Sequence, residues 1–580
     1  MSKVGFKMWI SAAIVGLTAC GSPAGPGARS SGIATSGEGL LAVDPDRSAV
    51  SWLGLAGQQA ELTVGKEPAR LLRLGEATYV SLRGERAVLE LLGAGTALRI
   101  GRRFDVGAEP YGLAALKEHN RLFVACGLSG TVEEIDLVSG SVVRTFPVPD
   151  QPRWLAASAT NVYVGSALAG TVTSIQLTTG AITPVTMPSP REAFTGHPML
   201  PRITGDLSLS PDGTNLVVPV QLTDSHVVDP ELATTAYYGP EITSGFMPAV
   251  VDIPIASDGA PADGAATVTP LSANLSYPTS VIHDASGANI YVAIEGSSVV
   301  VALPALPRKR QPYMDPVSRL SIEPTYPESF AIGDDGQVFL RSRLLRKVLV
   351  ARAPSEGGLF HTNPIAALPP SGLAPEVERG RRLFFDAVDG TTGPMGLSCS
   401  SCHFEGRTDG LTWVLPGGPR NTPSLAEQVS ERAPLRWSGD RATIADDAQQ
   451  TATLLGGTLT IEQAAEIQRF VESIPGVDLP LHGAPPEMMS PGRQAFVRAG
   501  CAGCHGGAVL SDLVQHELGG RGSVKTPSLT GVAATPPFLH DGSVATLEEL
   551  VERARELELG DTSMLSKEER TALVTYLKSL

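Results

Sequence analysis

Two stretches about forty residues apart repeat one four-part pattern, and a repeat of that length constrains the fold more than any single residue does. The first reads Pro110-Tyr111-Gly112-Leu113, Arg121-Leu122-Phe123-Val124-Ala125, Gly130-Thr131-Val132-Glu133-Glu134-Ile135-Asp136-Leu137 and Gly140-Ser141-Val142-Val143-Arg144-Thr145. The second reads Pro152-Arg153-Trp154-Leu155, Asn161-Val162-Tyr163-Val164-Gly165, Gly170-Thr171-Val172-Thr173-Ser174-Ile175-Gln176-Leu177 and Gly180-Ala181-Ile182. Each unit holds four short β-rich runs parted by turn residues. A single unit cannot cover its own faces, so neighbouring copies have to pack against one another.

Weaker copies of the second run occur at Leu40–Val43, Thr78–Ser81, Leu216–Pro219, Ile290–Ala293 and Val338–Arg341, which with the two strong units makes seven. The strong units resemble the YVTN-type β-propeller repeat. That resemblance implies an all-β propeller of about seven blades over residues 40–365. Six and eight blades stay open, because the spacing stretches between residues 166 and 290. The 62 glycines and 46 prolines, without a collagen-like period, suit the turns of such a fold. His119, His197, His226 and His283 are scattered through this region and form no catalytic constellation; each reads as a surface or structural side chain. The propeller reads as a docking module, and a fold alone does not name what docks.

After Pro369-Pro370-Ser371-Gly372 the patterning turns helical, and two motifs follow: Cys399-Ser400-Ser401-Cys402-His403 and Cys501-Ala502-Gly503-Cys504-His505. Two thiols three residues apart on one helical turn suit thioether bonds to the two vinyl groups of one porphyrin, and the adjacent imidazole then meets the iron as proximal ligand. Cys399, Cys402, Cys501 and Cys504 are thus the expected attachment points of two covalent haem c groups, with His403 and His505 on iron. A zinc site would want four converging ligands, and a redox dithiol has no need of the histidine.

The surroundings of the motifs are duplicated too. Gly380-Arg381-Arg382-Leu383-Phe384 precedes the first and Gly492-Arg493-Gln494-Ala495-Phe496 the second. Asn421-Thr422-Pro423-Ser424-Leu425 is matched by Lys525-Thr526-Pro527-Ser528-Leu529, and Trp437-Ser438-Gly439 by His540-Asp541-Gly542. Each half ends in an amphipathic helix, 461–474 and 567–580. The pattern reads as one domain copied in tandem: two all-α cytochrome c domains, 373–482 and 483–580.

This region resembles the bacterial dihaem cytochrome c peroxidase and MauG superfamily. The resemblance implies an inter-haem electron path through Trp437, for which plain core packing is an equal reading. It also implies a calcium ion at the domain junction held at Asn421, Thr535 and Pro537. Two departures bear on activity. Peroxidases of this family carry a glutamate where this chain reads Thr451-Ala452-Thr453-Leu454-Leu455-Gly456-Gly457, and ligating methionines often stand at the positions of Leu455 and Leu559. Neither Met nor His lies between His403 and His482, so the first haem has no local strong sixth ligand and an open face for peroxide. For the second, the nearby candidates are Met564, His540 and His516; Met564 lies in the loop before the last helix, close to where a ligating Met is expected, and reads equally as a plain loop residue. Two functions follow: an oxidoreductase in which the first haem reacts with a small oxidant such as peroxide and the second relays electrons from a redox partner protein, or a non-enzymatic carrier that uses the propeller for docking.

At the N-terminus, Lys3 and Lys7 precede an apolar run from Met8 to Leu17, too short for a stable membrane span and of signal-peptide length. Leu17-Thr18-Ala19-Cys20 resembles the lipobox of bacterial lipoproteins. That implies a signal peptide over 1–19, lipidation of Cys20, a membrane anchor through that lipid, and residence in the periplasm or cell envelope. Residues 20–39, rich in Gly, Ser, Ala and Pro, read as a flexible linker. Cys126, alone in an apolar run, reads as a buried filler. A net charge of −15 argues against a nucleic-acid partner.

Overall fold

The computed structural model describes residues 27–580 apart from 38, 149–150, 168–169, 192–195, 226–244, 263, 272–274, 311–324, 334, 353–360, 394–395, 416, 482–483 and 519–521. The signal sequence, Cys20 and His226 lie outside the described residues.

Among the described residues, seven antiparallel sheets form a ring of blades. Their second strands are Gly39–Asp44, Ala77–Leu82, Arg121–Cys126, Asn161–Ser166, Asn215–Thr223, Asn289–Ile294 and Val338–Ser342. These are the seven positions of the repeat, so the seven-blade reading holds over six or eight. The stretched spacing between residues 166 and 290 is taken up by the fifth blade, whose strands Asn215–Thr223 and Phe246–Pro254 run nine residues each. Second strands are covered on both faces by adjacent blades, which is why Leu122 to Cys126 is apolar without alternation. Cys126 is fully buried there. Outer strands such as Arg99–Asp105 are mostly exposed. Ile33, Leu40 and Leu53 of the first blade share a core with Phe339, Val348 and Val350 of the last, and this closes the ring.

The N-terminal segment differs from the flexible linker expected over residues 20–39. From Gly27 onward it is built into the propeller. Ala28–Arg29 pairs with the inner strand Pro110–Leu116, and Ser31 bridges Leu71 of the second blade. Gly27 N–H donates to Ala157 O (2.8 Å), and Ser31 Oγ donates to Phe330 O (2.7 Å). Arg29 Nη1 donates to Leu207 O and Val281 O, each at 2.8 Å. The segment therefore touches inner strands right round the ring and occupies its central channel. Small residues that suit a linker also suit a narrow bore: a Cβ on Gly27 would stand 2.6 Å from Ala115 O.

Past residue 368 most of the regular structure is helical. Helices Pro375–Phe385 and Ile461–Glu472 frame the first half, and Pro486–Arg498 and Lys567–Leu577 the second. Capping boxes start both terminal helices, Thr460 with Gln463 and Ser566 with Glu569. In each half the first and last helices cross at a glycine. A Cβ on Gly380 would lie 1.9 Å from Glu466 O, and one on Gly492 would lie 2.2 Å from Ala572 O. Phe384 and Phe496, four residues on, are buried in the respective cores. The halves are not purely α-helical, because each adds a small hairpin: Thr412–Leu415 with Gly418–Asn421, and Gln515–Glu517 with Ser523–Lys525. The first half docks on the propeller face where the inner strands begin. Ala387 N–H bonds Gly296 O there (2.9 Å), and Tyr277 packs on Phe385. Among the described residues no helix is long and apolar enough to cross a membrane.

Candidate functional site

Each Cys-x-x-Cys-His motif forms one tight turn. Cys399–Cys402 is a single helical turn capped reciprocally by Ser398 and Ser401, and His403 N–H bonds Cys399 O at 2.9 Å. Cys501–Gly503 is a 3-10 turn, and His505 N–H bonds Cys501 O, also at 2.9 Å. All four thiols are free of disulfides. Cys399 and Cys501 lie against the apolar cores of their halves.

The imidazoles are oriented alike. His403 Nδ1 faces Arg407 O (3.2 Å) and Pro423 O (3.1 Å), while His505 Nδ1 faces Leu510 O (3.1 Å) and the Pro527 carbonyl. Carbonyls only accept, so Nδ1 carries the proton and Nε2 keeps its lone pair for a metal. Burial lowers the pKa of both rings, which favours the neutral, ligating form. Pro423 and Pro527 are equivalent residues of the duplicated Thr-Pro-Ser-Leu segments; aligning the imidazole gives those segments a shared job. Paired thiols on one turn beside an imidazole with free Nε2 fit a c-type haem in both halves. The competing zinc reading fits less well. Cys504, Asp512 and His516 do converge, their ligand atoms lying within 4.8 Å of one another, but they supply three ligands rather than four and leave Cys501 and His505 out.

The two halves meet in a reciprocal contact. Asn421 N–H donates to His540 O (2.6 Å), and the equivalent Lys525 N–H donates to Trp437 O (2.8 Å). Trp437 and His540, matched in the sequence, meet ring to ring with centroids 6.2 Å apart at 63°. Trp437 Nε1 also donates to Asn421 O (2.9 Å). Asn421 Nδ2 donates to Pro537 O, while its buried Oδ1 is left without a hydrogen-bond partner. An unmatched carboxamide oxygen beside a backbone carbonyl suits a hard cation. Thr535, expected alongside them, turns its hydroxyl to Val532 O (3.0 Å).

The three candidates for a sixth ligand sit in different surroundings. Met564 is 58% exposed, with Leu565 beside it buried. His540 is buried against Trp437, and His516 Nε2 bonds Asp512 Oδ2 at 2.8 Å. In the propeller, His119 is exposed and His197 bonds Asp224 (3.2 Å), while His283 is buried with Nδ1 on Ser208 Oγ (2.9 Å). What the sequence did not reveal is a set of propeller residues, Arg83, Glu109 and Arg153, that reach Glu405 and Arg407 just after the first motif. Their partners are about 250 to 320 residues away in the chain, and no local pattern marks them.

Residues 489–580 match the family model described as cytochrome c. Cytochrome c551 peroxidase of Nitrosomonas europaea is 26% identical over 281 residues, covering 37% of this chain and 83% of that protein. Methylamine utilization protein MauG of Methylorubrum extorquens is 24% identical over 282 residues, covering 36% and 79%. Among solved structures, a Kuenenia stuttgartiensis hydrazine synthase chain aligns over 60% of this chain and 100% of its own at 16% identity and TM-score 0.42. A MauG-like protein associated with microbial copper homeostasis aligns over 37% and 93% at 22% identity and TM-score 0.29. The chain thus joins a seven-blade propeller to a cytochrome c domain, within a C-terminal part similar to cytochrome c peroxidase and MauG, and covalently bound haem c is indicated.

Proposed function

We propose that the chain is an exported dihaem cytochrome, built as two tandem cytochrome c domains, that passes electrons between a redox partner and a small oxidant such as peroxide. The observation that carries this reading is the reciprocal junction, which sets Trp437 between two Cys-x-x-Cys-His halves. Haem c supplies one-electron redox chemistry at iron. The residues do the rest. Cys399 and Cys402 tether one group and Cys501 and Cys504 the other, while His403 and His505 present a neutral Nε2 with Nδ1–H fixed on backbone carbonyls. Trp437 gives the halves an aromatic bridge. With neither Met nor His between His403 and His482, the first site has no strong sixth ligand of its own nearby and is the one left open to a small molecule. At the second site Met564, in the turn before the last helix, is a candidate sixth ligand; its exposure means that it would have to turn inward to bind. Asn421, Thr535 and Pro537 are the proposed holders of a junction calcium ion, supported by the unpartnered Asn421 Oδ1.

A second reading rests on its own observation. Thr451 to Gly457, where family peroxidases carry a glutamate, holds no carboxylate, which favours a carrier without peroxidase chemistry. An optical spectrum of the purified holoprotein separates the two. A high-spin band that changes on adding peroxide supports the enzyme; two low-spin haems indifferent to peroxide support the carrier. The signal-like N-terminus and the lipobox-like Leu17-Thr18-Ala19-Cys20 support anchoring through a lipid on Cys20 in the periplasm or cell envelope. Mass spectrometry of the mature N-terminus tests it.

A further inference from the structure

The propeller face under the first motif grips the segment that follows His403. Phe404 packs edge-on to Trp154 (centroids 6.3 Å) and beside Tyr277 (5.6 Å), with the Arg153 guanidinium 5.6 Å from its ring. Glu405 has a left-handed backbone (φ 51°, ψ 32°). Its Oε2 accepts from Arg83 Nη1 (2.8 Å) and Arg153 Nη1 (2.6 Å). Glu109, 2% exposed at the start of a third-blade inner strand, accepts from Arg83 Nε (2.6 Å) and Arg153 Nη2 (3.3 Å), and it pairs with Arg407. The backbone oxygen of that same Arg407 faces His403 Nδ1. A continuous path of bonds thus runs from two propeller arginines through Glu109 and Glu405 to Arg407, whose carbonyl is one of the two, with Pro423 O, that orient the first imidazole.

Among the described residues the second motif has no such path. His505 is followed by Gly506-Gly507-Ala508-Val509-Leu510, a run without a charged side chain, and its Nδ1 bonds Leu510 O. Two halves alike in their junction and their helix crossings therefore differ in what holds the proximal carbonyl.

We infer that the propeller positions the proximal ligand of the first haem alone: Arg83, Arg153, Glu109 and Glu405 clamp the Arg407 carbonyl onto His403 Nδ1–H and so set the potential of that haem. The inference rests on the reading of His403 as a proximal ligand. A well-held acceptor on Nδ1–H makes Nε2 a stronger donor and favours oxidised iron. Loosening the clamp weakens that donation, raises the first haem's potential and leaves the second unchanged.

The test is a spectroelectrochemical titration of the full-length holoprotein and of Glu109→Gln and Arg83→Gln, with bound haem counted and the Fe–His stretch recorded by resonance Raman. The clamp predicts the same direction for both variants. Each shifts the first haem's oxidised-to-reduced ratio roughly tenfold toward reduced, about 59 mV, with a lowered Fe–His frequency and an unmoved second haem. If the charges acted only through space, losing an anion and losing a cation would shift the potential in opposite directions; that result overturns the inference, as does an equal shift at both haems or none at the first. Should Glu109→Gln fail to load haem, Glu405→Asp, which keeps the charge and withdraws it by one methylene, is read in its place by the same criteria. A wild-type chain without haem at His403 would remove the parent reading itself, and the haem count reports that separately.

Discussion

Trp437 and His540 occupy matching positions in the two helical halves and meet edge to face, their ring centroids 6.2 Å apart. The backbone around them is matched as well: Asn421 N–H bonds the carbonyl of His540, and Lys525 N–H bonds the carbonyl of Trp437. The two backbone bonds make the contact reciprocal, and the matched pair that differs, indole against imidazole, lies within it.

Replacing Trp437 tests its two roles separately. Trp437→Phe keeps an aromatic ring but removes the indole donor to Asn421 O, a loss of about 1 kcal/mol of stability. Trp437→Ala also removes the ring. If the indole is an electron path, reduction of one haem through the other slows in Trp437→Ala more than in Trp437→Phe in stopped-flow traces, with both haems retained. Unchanged rates in both variants leave Trp437 a packing residue.

The helix crossings predict a matched pair of destabilised variants. Gly380→Ala and Gly492→Ala each drive a Cβ into a backbone carbonyl, so the helices must separate, at a cost of about 1–3 kcal/mol or more. Denaturant melts followed by helix signal should show the loss in both.

His283 gives the propeller a signature on acidification. Burial, with Arg29 and Arg310 nearby, pushes its pKa down to about 4. A histidine held below its unfolded value of about 6.5 binds fewer protons folded than unfolded. Stability therefore falls with pH from about 6.5 to about 4, by up to roughly 3 kcal/mol. His283→Asn should flatten that part of the pH profile in thermal melts of the propeller.

The junction oxygen predicts a calcium dependence. Saturating Ca²⁺ should raise the melting temperature of the helical region, by about 2.7 kcal/mol of stabilisation at a hundredfold excess over Kd, and EGTA should reverse it. Asn421→Ala should abolish the difference. A wild-type melt indifferent to both argues that Asn421 Oδ1 holds no cation.

Much of this molecule was legible in the sequence because its repeats are. Second strands covered on both faces write a similar apolar run seven times, and those copies favour seven blades, with six and eight left open until the sheets themselves decide. The paired motifs, glycines and Thr-Pro-Ser segments recur in both halves, and each meets a local need: a tight Cys-x-x-Cys-His turn, a close helix crossing, an imidazole acceptor. Arg29 and Glu405 were not legible. Arg29 lies in a Gly/Ser-rich stretch that reads as linker until the ring supplies carbonyls around it, and Glu405 finds its arginines only once blades and helices are assembled. The exposure of Met564 is likewise set by the turn's packing, which its position before a helix does not reveal.

The most direct measurement is the intact mass of the denatured chain, made in a host that matures c-type cytochromes. Two porphyrins should remain covalently bound, with one lost when Cys399 and Cys402 are both changed to alanine and the other when Cys501 and Cys504 are. A mass equal to that of the bare polypeptide would contradict the account at its root.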